Sequence, residues 1–456
     1  MTEHTADLVI LGGGSGGYAA ALRAAELGRS VIIIEKDKIG GTCLHRGCVP
    51  TKALLHSAEV ADHVRESTAV GVRATWEGID VAGVTAYREN IVAKKYKGLE
   101  GLVAARGITV VTGHGRLVSG PAVTVGDDVY RGTDIVLATG SYSRLLPGLE
   151  AGGRVLRSEE ALALDEVPGR VIILGGGVIG VEFASVWRSF GAEVTIVEAL
   201  DHLVPNEDVT LSKALERAYR KRGIATRLGT RFASVSQTDD DVTLTLEDGS
   251  TLTADYVLVA VGRGPATAEL GFEDAGVTLD RGFVTVDEQL RTSVPHVWAV
   301  GDIVPGLQLA HRGFQQGIYV AEQIAGLAPV AVPEHTIPRV TYSRPEVASV
   351  GLTEAQARAE HGDRVQTYEY NLAGNAKSEI IGTAGIVKIV RATEGPVLGV
   401  HLVGERVGEL ITEGQLAVAW EAHPEDLAPL IHAHPTQSEA LGEAFLALAG
   451  KPLHAL

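Results

Sequence analysis

Two stretches of this chain, "DLVILGGGSGGYAAALRAAELGRSVIIIEK" from Asp7 and "RVIILGGGVIGVEFASVWRSFGAEVTIVEA" from Arg170, repeat one pattern: apolar run, glycine cluster, helical stretch, β-branched run, acid. That order predicts strand, tight turn, helix, strand, and a chain carrying it twice is expected to be α/β. Gly12, Gly14 and Gly17 match G-x-G-x-x-G, as do Gly175, Gly177 and Gly180, and Glu35 and Glu198 each follow the first glycine by 23 positions. The first glycine permits the turn, the second lets a diphosphate approach the backbone, and the third lets helix pack on strand. The diphosphate then meets the positive helix end and the acid meets ribose hydroxyls. One copy could be an empty glycine-rich turn; two copies with equally spaced acids imply two dinucleotide sites.

At 456 residues the chain exceeds what one core organises. Aromatics are only 5% against 45% hydrophobic, so the cores must be built from Ala, Val, Leu and Ile. A formal charge of −17 argues against a nucleic-acid surface. The N-terminal apolar run is too short for a signal peptide or membrane span, so a cytoplasmic protein with no membrane partner is expected. Residues 64–106 read as polar helix with a solvated basic face, and Asp248-Gly249 as a hairpin turn. From about Pro338 the pattern changes to a compact α+β module.

The only two cysteines, Cys43 and Cys48, stand together in "IGGTCLHRGCVPTKALLH". In a regular helix that spacing separates the Cα atoms by roughly 8 to 9 Å, beyond disulfide reach, so a bond needs a distorted segment. Gly47 and Pro50 supply one, and the helix that follows leaves Cys48 at its N-terminal end, where a thiolate is stabilised. Three readings compete. A zinc site of Cys43, His45, Cys48 and His56 fits no common spacing, so no metal is expected. Inert packing of two small residues is ordinary for isolated cysteines. A redox disulfide beside a flavin explains both the pairing and the placement: nicotinamide moves hydride, thiols react through sulfur, and a flavin exchanges electrons with both. The first fingerprint would then hold FAD and the second the nicotinamide.

These residues, with "TSVPHVWAVGDI" and "HAHPTQSEALGEAF", resemble the FAD-dependent pyridine nucleotide-disulfide oxidoreductases over essentially the whole chain. The resemblance implies two Rossmann-like domains, for FAD and NAD, and a C-terminal α+β dimerisation domain. The expected boundaries are 1–148 for the first part of the FAD domain, 149–269 for the NAD domain, 270–338 for the second, central FAD part, and 339–456 for the interface. It implies that Cys43 exchanges with substrate sulfur while Cys48 lies against the flavin, and that Lys52 stands near the flavin and pairs with Glu182. Asp302 would bind the ribityl chain, Gly115 and Gly140 would join the FAD site, and Gly262 the NAD site. His434 would be the base, oriented by Glu439, and would reach the disulfide of the other subunit, making a homodimer obligatory.

Two departures stand out: Gly264 and Ala266 replace an Arg and an Asn common in the family, and Gln315 and Gln316 precede Gly317 where a Glu is common. The first bears on the polar contacts near the nicotinamide site; at the second, altered polarity beside the flavin, with function kept, is expected. Glu198 disfavours the 2′-phosphate of NADP and favours NAD. No third sulfur nucleophile exists, so the substrate must bring its own dithiol, as a lipoyl group does; lipoyl domains of 2-oxoacid dehydrogenase or glycine-cleavage complexes are the implied partners. A quinone or disulfide diaphorase, or a mainly structural subunit of such a complex, are the alternatives.

Overall fold

The computed structural model describes residues 2–454. The chain folds as two compact units: Met1–Ala53, Ala82–Arg144 and Gly262–Glu334 form the first, and Leu54–Val81, Leu145–Val261 and His335–Leu456 the second.

In the first unit, strand Glu3–Leu11 lies parallel between Val31–Glu35 and Asp128–Leu137, with Thr109–Thr112 outside one and Val297–Ala299 beside the other. Leu8 and Ile10 feed one core with Ala20, Ala24 and Tyr319, while Val9 and Leu11 feed the opposite core with Leu117, Ile135 and Phe272. Both faces of the strand are buried, which is why its sequence is an unbroken apolar run rather than an alternation. Helices Ser15–Glu26 and Ala310–Ile324 approach closely because Gly317 faces Gly16: a Cβ there would lie 2.3 Å from the Gly16 carbonyl oxygen. The polar stretch expected to be helical includes helix Val81–Ala105, which buries Val103 and packs Tyr96 and Leu99 on the first core.

The second unit repeats the plan with Arg170–Leu174 between Glu193–Val197 and Tyr256–Val259, all parallel. The Asp248-Gly249 signal does form a turn: it joins antiparallel strands Val242–Leu246 and Thr251–Ala254, with Gly249 at φ +82° and Asp248 Oδ1 accepting from Ser250 N at 2.9 Å. The C-terminal module is a five-stranded antiparallel sheet, Arg339–Thr341, Glu346–Gly351, Val397–Gly404, Ile386–Ala392 and Val365–Asn371 in spatial order. One face, with Val387, Ile389, Val400 and Leu402, buries against helices Val407–Ala419 and Glu439–Leu448. No described helix is long and apolar enough to cross a membrane.

Candidate active site

Both fingerprints close in the same way. Gly12 has φ +106° and its absent Cβ would fall 2.3 Å from Ala138 O; Gly175 has φ +114° and would meet Ala260 O at 2.4 Å. A Cβ on Gly17 would lie 1.9 Å from Gly12 O, and one on Gly180 2.0 Å from Gly175 O, so no side chain fits at either position without moving the helix. The second glycines behave differently: nothing lies within 4 Å of the Cβ position of Gly177, and only Gly41 Cα, at 4.0 Å, borders that of Gly14. Helices Ser15–Glu26 and Val178–Phe190 begin there with no side-chain cap and no acid in the first turn. Their first N–H groups are thus left for an anion. Glu35 Oε2 accepts from Gly13 N at 2.7 Å and Glu198 Oε2 from Gly176 N at 2.6 Å, which fixes each acid against its own turn. These features fit two dinucleotides, one at each turn.

The segment after the first cradle carries the sulfurs. Gly40 N donates to Gly13 O at 2.8 Å. Gly41, at φ +58°, sits so close to Gly14 that a Cβ would lie 2.7 Å from its Cα. The short helix Gly41–Arg46 then stops at Gly47 (φ −141°, ψ −112°), and helix Cys48–Glu66 begins. The expected break between the cysteines is therefore present, at the residue where a Cβ would press 3.0 Å from Thr42 O. Cys43 is half-buried and Cys48 exposed, and the two thiols are close enough to share a hydrogen bond, as a reversible disulfide pair requires. A hydrogen bond to Cys48, then burial, push the Cys43 thiol well up, against the opposing influence of the Lys52 charge and a hydrogen bond with Ser15. Cys48 starts its helix, at the positive end of the dipole. The sequence reading passed over Ser15 because it occupies a variable position of the fingerprint. It also missed Tyr18, one turn further along that helix, whose hydroxyl is pushed up to about 12 by burial and then by the Cys43 charge.

Asp302 is held from behind. Ser141 donates to its Oδ2 at 2.6 Å, and Arg263 holds Ser141 through Nε to the hydroxyl at 2.7 Å and a second nitrogen to the carbonyl at 2.9 Å. Gly140, at φ +77°, and Gly262, at φ +106°, flank this short antiparallel pairing of Ser141–Ser143 with Arg263–Pro265. Gly264 makes room for an aromatic ring: a Cβ there would lie 2.6 Å from Tyr142. Gln316 Oε1 accepts from Gly301 N at 2.8 Å, a bond a carboxylate could also accept, so the uncharged residue preserves the contact. At Gly115 the visible constraint is packing, since Leu11, Ile34 and Val123 fill the space beside it.

In the second unit, His434 Nδ1 pairs with Glu439 Oε1 at 2.9 Å, as the five-residue spacing suggested. Glu439 Oε2 accepts from Thr436 N at 2.8 Å; burial pushes this carboxyl up, but the Thr436 N–H and His434 outweigh it and hold it below its ordinary value. The ring of His434 is 74% exposed, its outer nitrogen open to a reactant, and its bond to Pro435 is cis. His432, two residues earlier, differs: its Nε2 pairs with Glu413 at 2.8 Å, and its ring lies over Gly442. Glu182 is buried in helix Val178–Phe190 and accepts from Tyr342 N at 2.9 Å. Cys43, Cys48 and Lys52 thus belong to the first unit, and Glu182, His434 and Glu439 to the second.

Comparison with known proteins agrees with this geometry. The family described as Pyridine nucleotide-disulphide oxidoreductase matches residues 6–317, and its dimerisation domain matches 337–445. A dihydrolipoyl dehydrogenase of Bacillus subtilis is 41% identical, spanning 99% of both chains, and the mitochondrial one of Pisum sativum is 39% identical, spanning 98% of this chain and 92% of its own. The solved structure of LpdA from Mycobacterium tuberculosis superimposes with a TM-score of 0.90 at 29% identity, covering 98% of this chain and all of that one.

Proposed function

Because the chain belongs to the pyridine nucleotide-disulphide oxidoreductases, we propose on its geometry that it is a dihydrolipoyl dehydrogenase, which oxidises protein-bound dihydrolipoyl groups and reduces NAD. The observation that carries this reading is the broken helix that sets the chain's only two sulfurs of thiol type side by side, directly after the first nucleotide cradle. FAD, when bound, accepts two electrons from the dithiol and delivers hydride to NAD. Gly12, Gly14, Gly17, Glu35, Gly115, Gly140, Lys52 and Asp302 would hold it, while Gly175, Gly177, Gly180, Glu198 and Gly262 would hold NAD.

The thiol chemistry follows from the residues. His434 takes a proton from the dihydrolipoyl thiol, and Glu439 supports the imidazolium. The new thiolate attacks Cys43 of the oxidised pair, breaking the Cys43–Cys48 bond and releasing Cys48 as thiolate at the helix end. The second lipoyl thiol displaces Cys43, its proton passing to the Cys43 sulfur as the lipoyl disulfide closes, so the pair is left two electrons richer with one proton on Cys43 and the first on His434. Lys52, four residues after Cys48, supplies positive charge that acts on the Cys43 sulfur.

The dimerisation-domain match makes a homodimer the supported assembly. Within it we propose that His434 of one protomer serves the thiols of the other, that lipoyl domains are the partners, and that the protein works in the cytoplasm, with domain boundaries as expected above. The deciding assay is steady-state reduction of NAD by dihydrolipoamide against reduction of a quinone by NADH at equal enzyme. Turnover with lipoamide dominant is expected; quinone reduction alone would favour the diaphorase.

A further inference from the structure

The loop after Glu198, residues 199–208, is gripped at both ends by groups outside the nucleotide fingerprint. At one end Val204 N donates to Gly176 O at 2.8 Å, and Leu203 covers Gly176 so closely that a Cβ there would lie 2.6 Å from Leu203 Cδ2. Gly176 N in turn donates to Glu198, the acid that would meet the ribose. The first unit closes with the same bond, Gly40 N to Gly13 O at 2.8 Å, with Ile39 where Leu203 stands. The donors differ in one respect. Both have positive φ, +101° at Gly40 and +45° at Val204. Glycine adopts that conformation freely, whereas a β-branched residue does so only when its surroundings impose it.

At the other end, three and four residues beyond Val204, Glu207 and Asp208 are buried. They meet a polar row that crosses the whole C-terminal sheet on the face opposite its apolar core. Arg339, Ser349, His401, Lys388 and Glu369 are successive cross-strand partners on five adjacent strands. Glu207 accepts from Arg339 Nε at 3.1 Å and from the Ser349 hydroxyl. Asp208 accepts from Lys388 Nζ at 2.9 Å through one oxygen and from Glu354 N at 2.9 Å through the other. Lys388 also pairs with Glu354 at 2.7 Å. Buried charges satisfied by several partners tolerate little displacement, since a broken contact leaves a desolvated charge unpaired. The end of the loop is therefore fixed, and Glu207 N donates to Val204 O at 2.9 Å, closing a turn over Pro205 and Asn206 that ties the anchored acid directly to Val204.

We infer that Glu207 and Asp208 are positioning residues for NAD: anchored on the dimerisation-domain sheet, they hold Val204 in its left-handed conformation and thereby keep Gly176 and Glu198 set for the ribose. This rests on the reading of the second fingerprint as the NAD site. The test is stopped-flow reduction of the flavin by NADH in the full-length, FAD-loaded dimer, where saturation of the rate with NADH concentration gives the NADH dissociation constant. Glu207→Gln is expected to raise the NADH dissociation constant about 10-fold with FAD content unchanged. In a Val204→Gly background, where the conformation no longer has to be imposed, the same substitution is expected to cost less than about 3-fold. Equal losses in both backgrounds, or an unchanged constant in Glu207→Gln, overturn the inference. Should Glu207→Gln fail to fold, Ser349→Ala removes one support of the same carboxylate; a rise of about 3-fold supports the inference and no change overturns it. Glu198→Gln separates the two levels: if it leaves NADH affinity untouched, the NAD reading itself fails, whereas if it weakens binding and Glu207→Gln does not, only the positioning role fails.

Discussion

The two nucleotide turns of this molecule are near copies in backbone and unlike in what they lead to. In each, the first glycine packs on a strand-end carbonyl, the third on the first, and an acid 23 residues on accepts from the intervening glycine. In the first, the returning chain passes through Gly40 and Gly41 straight into the helix that carries Cys43. In the second it passes through Val204 into buried ion pairs. The comparison teaches that the fingerprint builds a generic cradle, and that the chemistry of each half is decided by the ten or so residues after the acid, where glycine gives a free bend in one copy and valine needs external support in the other.

That contrast can be broken most forcefully at the sulfurs. Cys48→Ser should retain FAD and NADH binding but lose dihydrolipoamide turnover by about 10³-fold or more, in steady-state assay; surviving turnover would mean that the first turn is no more specialised than the second. His434→Gln should lower dihydrolipoamide oxidation about 10²- to 10⁴-fold while flavin bleaching by NADH, followed by stopped flow, changes far less. If the cradles are independent, Gly17→Ala should release FAD, seen as loss of yellow colour on gel filtration. Gly180→Ala should instead keep the colour and weaken NADH binding by about 10-fold or more, because the overlap at 1.9 Å or 2.0 Å strikes only its own turn. The smallest effect is a pH dependence confined to the second loop. Burial pushes the Asp208 carboxyl up, but the Glu354 N–H and Lys388 outweigh it and bring it to about 2. Its folded value lies below its unfolded one, so its stabilisation is full above about pH 4 and fades as pH falls toward about 2. Thermal unfolding of wild type and Asp208→Asn should accordingly differ most at neutral pH and converge in acid.

Much of this was legible before any coordinates. Unbroken apolar runs such as Leu8 to Leu11 signal strands buried on both sides, and the glycine spacing permits only the observed turn. The break at Gly47 followed from the impossibility of bridging two cysteines along a regular helix, and the His434–Glu439 pair from spacing together with resemblance. What escaped depends on packing between distant segments. Lys388 and Arg391 look like solvent-facing strand residues, yet each is only 2% exposed, because acids far off in the chain cover them. Gln316, read as a lost charge, keeps its hydrogen bond to Gly301, and Gly264, read as a lost arginine, accommodates Tyr142. In each case local sequence shows the residue type and not the neighbour that gives it purpose.

The chain has no cysteine beyond positions 43 and 48. Alkylation of the intact polypeptide can therefore report on nothing but the reacting pair: two mass increments mark the dithiol and none the disulfide. The fraction of protein poised to accept electrons could thus be counted directly in a cell extract, with no background from structural thiols.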